Sequence, residues 1–181
     1  MALTACVGLW LTVQCGLGLM LIGGVGGLIG WAYSAPPLRL NSRGLGEPCI
    51  ALGFGLIAVG TDYVQRHAVS LAPVALVSSF ALLSTAILFI NQFPDRKADA
   101  ATSKHTLVVR LGAKTAAWLY LPLVLVAYAL APTSLALLPL PLSLFAARDL
   151  GRFAETPANL RLAIIATIIA ALAEGVLSIV V

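Results

Sequence analysis

Residues Asn91 to Leu111 read NQFPDRKADAATSKHTLVVRL. This stretch interrupts a chain that is otherwise nearly all apolar, and it holds two of the seven carboxylates and four of the eleven Lys/Arg residues. Asn91, Asp95 and Asp99 recur at i, i+4 and i+8. On a helix these steps drift slowly around the axis, so the three side chains share one face, with successive residues about 6 Å apart along it. A carboxylate pair at that spacing suits Mg²⁺, which takes oxygen ligands, keeps several waters and often binds together with substrate phosphates. Arg96, Lys97, Lys104 and Arg110 lie close by and can neutralise phosphate oxygens. An acidic face with a basic flank points to a metal-bridged diphosphate. The plainer alternative is a solvated helix end whose carboxylates pair with Arg96 and Lys97.

The sequence around this stretch sets the fold class. Of 181 residues, 60% are hydrophobic and 10% charged, and the mean hydropathy is +1.01. Those values lie far outside the range of ordinary soluble domains and mark an integral membrane protein in a lipid bilayer. The net charge is +4, but the basic residues sit between long apolar runs and no basic patch is interleaved with aromatics. They report on topology and anionic headgroups, not on nucleic acid. Three cysteines, none in a CxxC pair, read as small packing residues.

The first 38 residues carry no charge. A full span is expected from Val13 to Tyr33, preceded by the tail of another element, with Pro36 and Pro37 ending the helix. Gly16, Gly18, Gly23, Gly24, Gly26 and Gly27 permit close helix contact, and Gly23/Gly27 is a GxxxG pair. Further spans are expected at Gly46 to Val64, Pro73 to Ile90, Ala113 to Ala131, Thr133 to Ala147 and Leu160 to Val181. Pro139 and Pro141 are expected to kink or tilt the fifth. The prediction is an all-α, multi-span transmembrane bundle of about six spans plus an N-terminal stub, forming a single domain over residues 1–181.

Ten of the eleven basic residues fall in or beside alternate loops, and Arg66 alone falls on the other side. Arg39 and Arg43 lie in the first loop, Arg96, Lys97, Lys104, Arg110 and Lys114 in or beside the third, which is the Asp-containing loop, and Arg148, Arg152 and Arg161 in or beside the fifth. The positive-inside rule puts all three on the cytoplasmic side. Glu174, inside the last span, is a costly place for a charge and must face the bundle.

The pattern NxxxDxxxD followed by TLVVRLG resembles the second aspartate motif of the UbiA-type membrane prenyltransferases. YSAPPLRLNSRGLGE, at Tyr33 to Glu47, resembles the loop two spans earlier in that family. GLGE and GTDYVQ, at Gly60 to Gln65, are more similar to the branch that prenylates 1,4-dihydroxy-2-naphthoate on the way to menaquinone. The resemblance implies that Asp95 and Asp99 are catalytic and bind Mg²⁺, with Asn91 nearby, and that the metal bridges a polyprenyl diphosphate. It implies ionisation of the allylic C–O bond, attack by an electron-rich aromatic quinone precursor, and a dry site, because water would quench the cationic carbon.

Tyr33, Arg39, Arg43 and Lys104 join Asn91 as expected substrate-binding residues on the diphosphate side. Interfacial anchoring is the ordinary alternative for Tyr33 and Arg39. Glu47 either serves the N-terminus of its helix or contacts the hydroxyls of the aromatic acceptor. The resemblance places the protein in a bacterial or archaeal cytoplasmic membrane. Family members carry two aspartate motifs, and only the later one occurs in these 181 residues. The chain thus corresponds to the C-terminal two-thirds of such an enzyme. Three states are open: a fragment inactive alone, a half that pairs with the missing N-terminal part or a second copy, or an inactive remnant. Alternative functions are transfer to 4-hydroxybenzoate or a glycerol phosphate lipid, and a non-catalytic scaffold or transporter-like remnant.

Overall fold

Hydropathy runs of helical length fold as helices throughout a computed structural model that describes residues 2–179. Among the described residues eight α-helices follow one another: α1 (Ala2–Cys15), α2 (Leu17–Ser34), α3 (Gly46–Arg66), α4 (Ala72–Ala101), α5 (Leu107–Leu111), α6 (Ala113–Ala129), α7 (Leu140–Phe153) and α8 (Arg161–Leu177). No strand occurs among the described residues. Among the described residues four helical stretches, Leu17–Ser34, Gly46–Arg66, Ala72–Ala101 and Pro157–Leu177, are long and apolar enough to cross a membrane, and Leu3–Cys15 and Ala113–Ala129 are shorter apolar helices.

The expected N-terminal stub is α1. The break between it and α2 falls at Gly16, whose φ of +102° is a conformation that side chains rarely adopt. The expected GxxxG contact does not form: a Cβ at Gly23 or Gly27 would meet nothing within 4 Å. The close approach lies one turn earlier, where a Cβ on Gly18 would come within 2.5–2.7 Å of the Tyr63 ring on α3. Tyr63 is buried in that notch.

Pro139 and Pro141 begin a helix and do not kink one. They occupy the N-cap and the first turn of α7, where a missing N–H costs nothing and the fixed φ is already helical. The chain from Thr133 to Leu138 is turn and 3₁₀-helix, so α7 starts later than the expected fifth span and runs on through Arg148, Asp149 and Arg152. The expected sixth span runs to Val181, which lies outside the described residues; α8 itself ends at Leu177, with Ser178 as its C-cap.

The core is built around α4. Its Leu83, Ala86, Phe89, Ile90 and Phe93 pack with Tyr120 and Val124 of α6, Leu150 of α7 and Ala163 of α8 in one buried cluster. Small residues on α6 and α8 (Ala116, Ala127, Ala163, Ala170) are fully buried and let the helices close up. Tyr120 and Thr167 share a hydrogen bond of 2.6 Å across α6 and α8, and the Thr167 hydroxyl also donates to the Ala163 carbonyl at 2.8 Å. With that hydrogen committed, Tyr120 is the donor to Thr167. Large apolar side chains on α1 and α2, such as Val13, Leu17 and Leu21, are exposed, as lipid-facing residues would be.

Helix α4 has 30 residues. At the α-helical rise it is about 45 Å long, some 15 Å more than the hydrocarbon core of a bilayer. An excess of that length is enough to carry the last three turns, which hold Asn91, Asp95 and Asp99, beyond the apolar layer. The helix continues through Pro94, although Pro94 has no N–H to donate to the Ile90 carbonyl.

Candidate functional site

The last three turns of α4 set the positions of the site. Asn91, Asp95 and Asp99 all lie within the helix and share the face that their spacing predicts. Their environments differ. Asp95 is exposed, Asn91 half-buried and Asp99 buried. The Asn91 amide nitrogen donates to the Ile87 carbonyl at 2.9 Å, which leaves its oxygen directed away from its own helix backbone.

Asp99 has two distinct oxygens. Oδ1 accepts from Lys104 Nζ at 3.1 Å, while Oδ2 is buried without a partner. The chain turns back on itself here, with the Lys104 N–H on the Asp99 carbonyl at 2.9 Å. Lys104, expected beside a diphosphate, therefore lies against the carboxylate itself. Arg96 and Lys97 make no ion pair with either aspartate, so the alternative of a helix end neutralised by those two residues does not describe this site.

The first loop joins the same site. The His105 N–H donates to the Ser42 carbonyl at 2.8 Å, tying the segment after α4 to the turn before α3. Gly44 makes this junction possible. Its φ is +72°, and a Cβ there would meet the Arg110 side chain and the His105 carbonyl oxygen, both at 3.3 Å. Gly44→Ala should destabilise the junction by about 1–2 kcal/mol through backbone strain alone. The expected readout is faster amide exchange at His105 and Ser42, with the α6/α8 core unchanged.

Tyr33 is half-buried at the end of α2, and Arg39 and Arg43 are exposed. Arg43 Nη2 donates to the Pro37 carbonyl at 2.8 Å, which staples the loop. Arg39 takes a left-handed backbone conformation at φ 43°. The fifth loop reaches the same end of the bundle, because Lys114 Nζ lies 3.2 Å from Glu155. Contacts thus connect the three basic loops at one end. Asp62 pairs with Arg66 at 3.2 Å at the far end of α3, and Glu174 faces the bundle with Ser178 Oγ donating to its Oε1 at 2.8 Å.

A second polar pair, which the motif reading did not identify, lies beneath the Asp-containing face. Gln92 Nε2 donates to Glu47 Oε1, and Gln92 Oε1 accepts the Val108 N–H at 3.4 Å. Val108 lies in the first turn of α5, where backbone donors lack helical partners. Both Glu47 and Gln92 are buried. Glu47 makes no capping hydrogen bond at the start of α3, and its side chain reaches α4 instead. The available signal was Gln92 itself. It is a polar residue about 100° around the helix from Asn91, on a side otherwise filled by Phe89 and Phe93.

Among the described residues no three His, Cys, Asp or Glu side chains come together as a metal group. The donors at Asn91, Asp95 and Asp99 are hard oxygens, and Asp99 Oδ2 has an unmet demand for a cation or a donor. Such a set fits Mg²⁺, which is commonly held by one or two carboxylates, with waters and phosphate oxygens completing its shell.

The family description "UbiA prenyltransferase family" matches residues 1–156. Among curated proteins, the chain is 34% identical over 60% of its length to a 1,4-dihydroxy-2-naphthoate octaprenyltransferase of Mycobacterium leprae, and 40% of that protein is covered. It is 33% identical over 53% of its length to the protein of the same name from Escherichia coli, of which 32% is covered. It is 36% identical over 50% of its length to a 2-carboxy-1,4-naphthoquinone phytyltransferase of Synechocystis, of which 30% is covered. The chain therefore matches about two fifths or less of the length of these relatives. No solved structure matches. With the family match running through the Asp-containing helix and both basic loops that fold against it, the chain belongs to the UbiA prenyltransferase family and is an integral membrane protein.

Proposed function

We propose that this chain carries the diphosphate-binding half of an enzyme that transfers a polyprenyl group from its diphosphate to an aromatic acceptor. The acceptor we infer is 1,4-dihydroxy-2-naphthoate, a precursor of menaquinone. The observation that carries the reading is the packing of the Asp-containing helix end against the first basic loop through His105 and Ser42. It gathers two carboxylates and several cations where a diphosphate would lie. The acceptor class follows from the names of the relatives, together with GLGE and GTDYVQ in this sequence.

In this reading Asp95 and Asp99 hold Mg²⁺, with Asn91 beside them. When bound, the metal would offset the negative charge that grows on the departing diphosphate. Arg39, Arg43 and Lys104 bind and orient the diphosphate oxygens, and Tyr33 supplies a hydroxyl at the mouth of the site. Lys104 has a second task, since its ammonium fixes the rotamer of Asp99. The apolar residues below, Phe89 and Phe93 among them, exclude water from the prenyl carbon. The basic loops lie on the cytoplasmic side by the positive-inside rule, in a bacterial or archaeal membrane.

The test is a transfer assay on membranes containing this chain with Mg²⁺, a long prenyl diphosphate and 1,4-dihydroxy-2-naphthoate. A parallel arm supplies the N-terminal segment of the mycobacterial relative. Product in either arm supports the reading, and its requirement for the second arm identifies a half-site completed by another segment. Silence in both arms overturns the dihydroxynaphthoate assignment. Product with 4-hydroxybenzoate alone would move the acceptor within the same reaction class.

Lys104→Met should lower transfer about 10-fold, less than loss of either aspartate, because the cation acts through Asp99 and the diphosphate and does not carry the metal. Initial rates at saturating Mg²⁺ check this.

A further inference from the structure

We propose that Glu47 accepts a hydrogen bond from a hydroxyl group of a compact aromatic ligand seated in the cavity beside it. Given the prenyl-transfer reading on which this rests, that ligand is the acceptor substrate. Glu47 is 8% exposed. Its Oε1 is held by Gln92, which is itself held by the Val108 N–H, so the carboxylate is fixed from α4 and α5. Its Oε2 is buried and has no partner. A buried carboxylate oxygen without a donor costs free energy, and a ligand that supplies the donor recovers it.

A cavity of about 200 Å³ adjoins this carboxylate, lined by Glu47, Thr85, Phe89, Leu107, Leu119 and Leu123. Among the described residues no Lys or Arg lines it. The Thr85 hydroxyl is committed to the Ala81 carbonyl at 2.8 Å, so the lining offers Glu47 no hydroxyl donor.

Three properties of the occupant follow. The volume lies below the roughly 300–1,000 Å³ of sites for drug-sized ligands, so it suits a one- or two-ring compound and not a polyprenyl chain. The walls are apolar, with the Phe89 ring among them, which favours a flat hydrocarbon body. The single charged group is a carboxylate, which attracts a hydroxyl donor and repels a diphosphate or a second carboxylate. An acceptor bearing both groups would therefore turn its hydroxyl toward Glu47. Leu119, at 44% exposure, forms the outer lip and leaves a route from the lipid-facing surface.

Gln92, which braces Glu47, lies seven residues before Asp99 on α4, so the cavity sits about two turns below Asp99 along that helix. A ring held there would be presented to the prenyl carbon from below, with the diphosphate above.

The experiment compares two probes of equal shape, 1-naphthol and 1-methylnaphthalene. Binding to the 181-residue chain in nanodiscs is measured by equilibrium dialysis, with partition into empty nanodiscs subtracted. The unaltered chain should bind 1-naphthol at least about 10-fold more tightly, as a hydrogen bond to a carboxylate allows. Glu47→Leu should bring the ratio close to one while retaining 1-methylnaphthalene, which also reports that the cavity survives. Glu47→Gln keeps the side-chain shape and should lower the ratio without weakening the methyl probe. A ratio near one in the unaltered chain overturns the proposal whatever the variants do, and so does an undiminished ratio in Glu47→Leu.

Neither prenyl diphosphate nor Mg²⁺ is present in this assay. Failure of transfer to both dihydroxynaphthoate and 4-hydroxybenzoate with the naphthol preference intact would remove the prenyl-transfer reading and leave the site. Active transfer with no preference would do the opposite.

Discussion

Asp99→Ala and Asp95→Ala should each lower prenyl transfer about 10²–10³-fold, the usual cost of removing one electrostatic contact to the developing charge. The two losses should be similar in activity and different in origin. Asp95 is exposed and pairs with no Lys or Arg, so its removal takes away a ligand and little else. Asp99 is buried and bonded to Lys104. Its removal also frees the lysine and loosens the turn that follows α4. Lys104 remains partly exposed, with 32% side-chain exposure, so the ion pair contributes no more than about 1 kcal/mol to folding. Both variants should therefore stay folded in detergent. Titration with Mg²⁺ separates them from structural damage: a raised metal requirement in Asp95→Asn and Asp99→Asn, at unchanged thermal stability, is the expected signature. Unchanged transfer in both alanine variants, in membranes where the unaltered chain is active, would refute the assignment of this face.

Tyr120→Ala is the expected extreme for stability. Tyr120 is fully buried at the centre of α6, it packs in the cluster built on α4, and its hydroxyl bridges to α8. Truncation leaves a ring-sized hole between three helices and should cost about 3–5 kcal/mol. Tyr120→Phe keeps the ring and removes only the donor to Thr167, whose own hydrogen still reaches the Ala163 carbonyl. That variant should lose about 1 kcal/mol. Thermal unfolding in detergent reads both. Similar midpoints for the two variants would show that the helices close around the hole and that the core is not organised by this side chain.

The sequence by itself determined the membrane class, the all-helical character and the same-side grouping of the basic loops. These follow from local quantities. A hydropathic run long enough to cross a bilayer has little choice but helix, because its backbone must satisfy its own hydrogen bonds. The i, i+4, i+8 spacing puts Asn91, Asp95 and Asp99 on one face of whatever helix carries them, and α4 carries them. Alternation of charge between loops put the Arg39 and Asp-containing loops on one side, and the His105–Ser42 bond joins them there.

The tertiary structure decided the choices among equivalent partners. Several cations compete for Asp99 within a few residues, and only the turn at Thr102 to Ser103 brings Lys104 to it. Gly23/Gly27 and Gly18 are equally permissive in sequence. The notch forms at Gly18 because that is where the large Tyr63 side chain from α3 arrives. Pro139 and Pro141 are compatible with a kink or a helix start, and the turn before α7 selects the start. Glu47 and Gln92 stand 45 residues apart, so no local pattern links them. Their pairing exists only because α3 and α4 pack side by side, in a dry interior where a lone carboxylate must find a donor.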